Sequence, residues 1–479
     1  MILKLIADAI TWFGNFILVY FCALNLSYLL LFLVSLTEVV RFLKRTFFSD
    51  YQQILRSDLT LPISLLVPAH NEEHTIVDTV RSLRMLNYPQ FEIIVINDGS
   101  TDRTLERLLD AYELRRVDRV FKRSLSHKPL RGVYASPLVP GLTVVDKERG
   151  GKPDALNVGI NLSRYPLFCS MDADSVIEED ALLKAVKPFM EFPDETVAVG
   201  GIVRIVNGCT VKEGRVTHIA IPRRPLPIYQ VVEYLRAFLG GRLGWSALQA
   251  LPLISGAFGV YRKSAVLEVG GYDGTTDTED LELVLALHQR RRAQGVPYRI
   301  VFVPDPVCWT QVPERWRDLR RQRNRWHRGM LQALVRHRRM LFNPRYGVIG
   351  MMVLPYYLIF EALGPLVEGI GYLTVIVGAG TGLLNAAFFV KFFLVAVLVG
   401  VFLSVASVFL EEISFRRYPS WNDLLKLMLF GLLENIGYRQ ILAVFKLQAY
   451  WEFVAGRRRW GRMDRRSFQP KAAPGAQAA

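Results

Sequence analysis

Two groups of carboxylates stand where they could do chemistry. Asp172-Ala173-Asp174 directly follows the apolar run Leu167–Met171. Side chains alternate along an extended chain, so acids at i and i+2 point the same way. Paired hard oxygens of that kind suit Mg2+ or Mn2+, although Asp is also an ordinary turn residue. Thr278-Glu279-Asp280 opens an amphipathic stretch. Acids in a first helical turn are favourable on electrostatic grounds alone, and a carboxylate there is also placed to act as a general base toward a hydroxyl.

Other stretches supply different chemistry. Val67-Pro-Ala-His-Asn-Glu-Glu and Ile96-Asn-Asp-Gly-Ser-Thr-Asp each end an apolar run. In an open α/β sheet, ligands bind beyond the carboxyl ends of the strands. The break that contains Ala69 and Glu72 offers backbone groups to a nucleobase, and Asp98 can accept from a base N–H or a ribose hydroxyl. Turn chemistry uses the same residue types. Gly150-Gly151-Lys152 is not a P-loop, because Pro153 follows the lysine and Asp146 stands where the first glycine belongs. A lysine at a Gly-rich helix entrance can still meet a diphosphate. His70 and His74 are four apart, but Asn71 replaces the glutamate that a zinc-protease helix needs. In Gln322-x-x-Arg325-Trp326, the arginine can pair with a diphosphate and the indole offers a flat face to a sugar ring.

These residues need elements to hold them. Short apolar runs at 63–67, 92–96, 142–145, 167–171 and 197–206 read as strands. Amphipathic stretches at 75–86, 102–114, 153–162 and 179–189 read as helices. The alternation predicts a parallel, largely buried sheet with helices on both faces. Residues 115–140, basic and Pro-interrupted, read as an inserted loop.

The chain has 479 residues, 51% of them hydrophobic, and the apolar ones concentrate at 13–40, 347–410 and 424–450. A stretch of about 20 apolar residues spans a bilayer. Segments 13–40, 356–377 and 383–410 are therefore expected to cross, the last two joined by a Gly-rich turn at 378–382. Segment 424–450 is expected to be re-entrant or interfacial, broken by the polar residues 434–439. The first block is too long for a signal-peptide core and reads as an anchor. The net charge of +15 lies just inside these blocks: Arg41, Lys44 and Arg45, then 315–345, Arg416 and Arg417, and 457–466. That is a positive-inside pattern. It accounts for the charge through the lipid bilayer and argues against nucleic acid. The four cysteines, with no CxxC pair, suggest neither a zinc site nor a disulfide framework.

In this order along one chain, Asp98, Lys152, Asp172-Ala-Asp174, Thr278-Glu-Asp280 and Gln322-x-x-Arg-Trp326 resemble the processive family 2 inverting glycosyltransferases, which include bacterial cellulose, chitin, hyaluronan and poly-N-acetylglucosamine synthases. The resemblance covers about residues 61–341 and extends to the flanking membrane helices. It implies an α/β fold of the GT-A, Rossmann-like kind inserted between transmembrane helices. The divisions are then an N-terminal membrane helix and linker (1–50), a cytoplasmic catalytic domain with a basic interfacial helix (51–345), transmembrane and interfacial helices (346–455), and a basic tail (456–479) with disordered composition over 471–479.

The resemblance also implies site roles. Ala69, Glu72, Asp98, Lys152, Asp172 and Arg325 would hold a nucleotide sugar, UDP-glucose or UDP-N-acetylglucosamine. Asp172 and Asp174 would hold Mg2+ or Mn2+, and Asp280 would be the base. Ser255, Gly256, Glu279, Gln322 and Trp326 would hold the acceptor end. Asn97 replaces the first acid of the usual Asp-Asp-Gly, leaving Asp98 alone in that role. The expected activity is transfer to a growing β-linked polysaccharide coupled to export, in a bacterial-type inner or plasma membrane, with a small accessory or export subunit as a possible partner. The alternatives are a non-processive transferase to a lipid and a catalytically inactive export scaffold.

Overall fold

The computed structural model describes residues 2–47, 60–383, 387, 390–391, 394–418 and 420–456. A helix, α1 (Ile2–Phe47), precedes the globular part. There, β1 (Ile63–Ala69), α2 (Ile76–Arg84), β2 (Phe91–Asp98), α3 (Thr104–Tyr112), β5 (Leu142–Lys147), α4 (Lys152–Leu162) and β6 (Leu167–Met171) alternate as the hydrophobic pattern predicts. These strands lie side by side in the order β5-β2-β1-β6, all parallel. Every residue of β6 is buried, as expected of a strand covered on both faces. The chain leaves β1 toward β2 on one side and later returns to β6 on the other. That is a topological switch point, where a crevice opens beyond the strand ends.

Outside this core the expectation of a parallel sheet is corrected: the ten-stranded sheet is mixed. The stretch predicted as an inserted loop contributes β3 (Arg115–Arg116) and β4 (Leu130–Ala135), which extend one edge antiparallel to β5. Beyond β6 come β11 (Phe258–Arg262), β8 (Thr196–Ile205), β12 (Arg299–Thr310) and β7 (Ser175–Ile177). β11 runs antiparallel to both β6 and β8, while β12 is parallel to β8. Phe258 therefore pairs with Met171, which brings Ser255 and Gly256 alongside the carboxylates after β6. β9 (Thr210–Lys212) and β10 (Arg215–His218) form a separate hairpin. α5 (Ala181–Glu191) packs on β8 and β12.

Three further helices complete the frame. α6 (Pro225–Leu235) leads into a π-helical turn, Arg236–Arg242. α7 (Glu279–Gln294) starts with three acids in its first turn and stops at Gly295, in the left-handed conformation that ends many helices. α8 (Trp316–Arg336) is the basic helix of the sequence.

Among the described residues, three helical stretches are long and apolar enough to cross a membrane: Ile10–Arg45 within α1, α9 (Ile349–Gly380), and the last helix, Trp421–Val454. Between them stands α10 (Val399–Phe415). Much of the opening of the expected 383–410 span lies outside the described residues, as do residues 457–479 of the tail with their expected disorder. The last helix, α11 (Trp421–Val454), breaks within Glu434–Tyr438, where Ile436 and Gly437 leave helical geometry. The polar residues thus mark the break, while the helix as a whole has the length and composition to span. The sheet and the apolar helices are joined by charge as well as by packing: Arg204 on β8 pairs with Glu411 on α10, both side chains almost wholly buried.

Candidate active site

β6 delivers Asp172 and Asp174 into the crevice, and α4 delivers Lys152 from the opposite bank. The first residue of α4 is Lys152, preceded by Gly151 at φ +90°, a conformation that favours glycine. Lys152 Nζ donates to Asp172 Oδ1 at 2.6 Å and to the Gly256 carbonyl at 3.1 Å, and lies 3.2 Å from Glu279 Oε1. One ammonium thereby ties the acids after β6 to those that open α7. Gly256 leaves room for the ammonium at this junction. A Cβ there would stand 2.8 Å from Lys152 Nζ and 3.4 Å from Asp280 Oδ2.

Asp280 is fixed by backbone. The Gly256 amide donates to Oδ2 and the Leu281 amide to Oδ1, both at 2.9 Å. Burial and the Glu279 charge push the Asp280 carboxyl above its ordinary range, against the opposing pull of Lys152 and the two amides. Glu279 goes the other way: burial would raise it, but Lys152 and then Arg325 hold it below the usual carboxylate value. Burial would lower the Lys152 ammonium, yet Asp172 and Glu279 keep it well above the ordinary lysine value. Burial and the neighbouring Asp172 raise Asp174 to about 7, with Lys152 opposing. Two hard carboxylates, one disfavoured as an anion by its surroundings, form a donor set that fits a divalent cation. Among the described residues, no cluster of three or more His, Cys, Asp or Glu side chains arranged to hold a metal ion is present, so the protein side of such a site is this pair.

All the residues given nucleotide-sugar, metal, acceptor or base roles in the Sequence analysis line one cavity of about 3300 Å3. Their roles in it differ. Ala69 is buried at the end of β1. The Glu72 carboxylate accepts from Thr75 Oγ1 at 2.9 Å, and its amide donates to Thr104 Oγ1 at 2.8 Å. Asp98 is only 4% exposed and its oxygens are engaged within the protein. Oδ1 accepts from Lys147 Nζ (2.5 Å) and the Gly150 amide (2.8 Å), and Oδ2 accepts from the Gly151 amide (2.7 Å). Its visible work is to pin the glycine turn that carries Lys152.

On α8, Trp326 stacks against the Arg323 guanidinium, 4.3 Å from its ring centroid. Arg323 is held in turn by Glu233 at 2.8 Å. Gln322 Oε1 is buried without a hydrogen-bond partner among the described residues, and so are Thr276 Oγ1 and Thr278 Oγ1, just ahead of Asp280 in the chain. Native interiors leave few such atoms, and all three residues line the cavity.

Several residues that sequence reasoning passes over hold this arrangement. Lys147, fully buried, bridges Asp98 and Asp154. Asp277, just ahead of Thr278, accepts from Arg328 Nε (2.6 Å) and Gln332 Nε2 (3.0 Å), while its own amide donates to Gln332 Oε1 (2.8 Å). Arg328 also donates to Glu452 of α11 at 3.0 Å. The turn that presents Asp280 is thus clamped to α8 and, through it, to the last apolar helix. The one available signal is position: Arg328 follows Arg325 by one helical step.

Comparison with known proteins agrees with this geometry. Residues 64–269 match the model for "Glycosyl transferase family 2", and residues 167–410, just over half of the chain, match that for "Glycosyl transferase family group 2". A poly-beta-1,6-N-acetyl-D-glucosamine synthase of Staphylococcus epidermidis is 33% identical over 275 residues, which is 57% of this chain and 56% of that protein. A protein of the same name from Staphylococcus aureus strain COL is 32% identical over the same shares. The chain thus matches only about half the length of these curated relatives. Among solved structures, a mannosyltransferase from Pyrobaculum calidifontis, in complex with GDP-Man and Mn2+, shares the fold at a TM-score of 0.50 and 18% identity, covering 88% of this chain and 99% of the other.

Proposed function

The chain belongs to glycosyltransferase family 2, and from that membership and the site geometry we propose that it is a membrane-embedded inverting transferase that adds N-acetylglucosamine from a UDP-linked donor to a growing β-linked polysaccharide. The sugar follows from the names of the relatives that match about half their length. The observation that carries the reading is Lys152, which joins the acids after β6 to those opening α7 within a single cavity.

The roles follow from position. Ala69, Glu72 and Asp98 border the nucleoside, and Asp98 acts largely through the Gly150-Gly151 turn that it fixes. Lys152 and Arg325 meet the diphosphate. Asp172 and Asp174 would hold Mg2+ or Mn2+, which would supply positive charge against the departing diphosphate. Asp280, oriented by two amides and made more basic by burial, takes the proton from the acceptor hydroxyl. That oxygen bonds to the anomeric carbon as the bond to the diphosphate breaks. One displacement from the opposite face turns the donor's α linkage into β. Ser255, Gly256, Glu279, Gln322 and Trp326 border the acceptor end.

Past Trp326 the same cavity continues between the apolar helices, lined by Trp245, Tyr356, Tyr357, Glu361, Glu368 and Tyr372. This supports passage of the product into the membrane. The basic residues beside the apolar helices support a cytoplasmic catalytic domain and tail, an external N-terminus and a non-crossing α11; a tag at Ala479 accessible from outside would overturn that topology.

The test is product length from radiolabelled UDP-N-acetylglucosamine and UDP-glucose, using the protein purified alone and returned to membranes. Polymer from the first donor, lost in excess chelator, is expected. A product of one sugar on a lipid would replace this reading with a non-processive transferase, and absence of transfer from either donor would replace it with an export scaffold.

A further inference from the structure

Arg242 takes no part in the roles assigned above. It closes the π-helical turn Arg236–Arg242, which packs against α1 and α10. It lines the cavity together with Gly256, Asp280, Trp326 and Tyr357. Its guanidinium lies over the Phe238 ring, 4.2 Å from the centroid, which fixes the plane of the fork. Nη1 is buried and has no hydrogen-bond partner among the described residues. By contrast, the nearby Arg236, Arg323 and Arg328 are each paired with a carboxylate: Glu434, Glu233 and Asp277. The groups that face Arg242 are the Tyr357 hydroxyl, the Asp280 carboxyl and the Tyr234 hydroxyl.

A guanidinium presents five donors in a rigid fork, and a buried donor is rarely left without an acceptor. The diphosphate belongs with Lys152 at the strand ends. Arg242 instead sits where the cavity passes toward the apolar helices, among indole and phenol faces suited to sugar rings. An oxygen-rich, uncharged ligand satisfies the fork there and leaves Asp280 free to act.

We infer that Arg242 is an acceptor-binding residue: its Nη1 donates to a hydroxyl or N-acetyl carbonyl oxygen of the acceptor's terminal sugar and so holds the attacking hydroxyl toward Asp280. The inference rests on the polymer-acceptor reading above. It is tested with full-length Arg242→Met and Arg242→Lys in membranes. Transfer from UDP-N-acetylglucosamine to β-linked N-acetylglucosamine oligomers is compared with hydrolysis of the donor in the absence of oligomer. Arg242→Met should raise the oligomer KM by about tenfold or more while donor KM and hydrolysis stay within about twofold, the pattern of a lost acceptor contact. Arg242→Lys, which keeps a donor and a charge, should recover part of the loss. An unchanged oligomer KM, or transfer and hydrolysis falling together, overturns the assignment. Wild-type protein that transfers to no sugar oligomer overturns the polymer reading instead, a result seen before any variant is made.

Discussion

The two acidic pairs of the site share the Lys152 ammonium and are held in different ways. Lys152 touches one member of each, Asp172 and Glu279. The other members, Asp174 and Asp280, are both pushed upward by burial and by the charge of the adjacent acid. The backbone separates them. Asp280 receives an amide on each oxygen, one from Gly256 and one from Leu281, so its orientation is set before any ligand arrives. Burial first, and then the charge of Asp172 beside it, raise Asp174 in the turn between β6 and β7, and a cation would offset both. A fixed orientation suits proton transfer; a buried acid beside a like charge suits metal binding.

The contrast can be broken most sharply at Asp280. Asp280→Asn should lower kcat by about 10²- to 10⁴-fold with the donor Kd unchanged within about twofold, read by steady-state kinetics and calorimetry. If donor affinity fell as far as the rate, the two pairs would not be functionally distinct. Lys152→Met removes the charge common to both and should weaken donor binding by about tenfold or more, roughly 1.4 kcal/mol, in the same calorimetric titration. Asp174→Ala should raise the divalent-ion concentration for half-maximal rate by about tenfold, a shift that Asp280→Asn should not produce in its residual activity. The smallest effect belongs to Glu279→Gln. The Glu279 charge raises the Asp280 carboxyl, so its removal should move the acid limb of the kcat/KM profile to lower pH. A shift to higher pH would mean that the contact of Glu279 with Lys152 dominates.

Much of the β1–β6 side of the site is legible in sequence, because parallel strands buried on both faces read as continuous apolar runs and their ends carry the motifs. β6 and Asp172-Ala-Asp174 illustrate this. The β11 side is less legible. Phe258–Arg262 is five residues long and becomes a strand through pairing with β6 and β8, a long-range event without a local period. Residues 130–135 form the second strand from the edge, flanked outside only by the two-residue β3, despite polar and basic neighbours. Lys147 has the composition of a surface lysine and is instead wholly buried between two carboxylates. Arg242 belongs to no motif in the sequence, and only the packed structure places it on the cavity wall.

The pairing of Arg204 with Glu411 also sets a timetable for biosynthesis. The partners are 207 residues apart in the chain, so a ribosome working at about 5–20 residues per second makes β8 roughly 10–40 s before α10 emerges. During that interval the end of β8 carries a cation whose counter-charge has not yet been synthesised. The Arg204 pairing can form only when α10 is in place, so this seam is finished late in synthesis. An early stop before Glu411 would leave a nascent sheet with an exposed charge in its unfinished seam, an identifiable target for quality control.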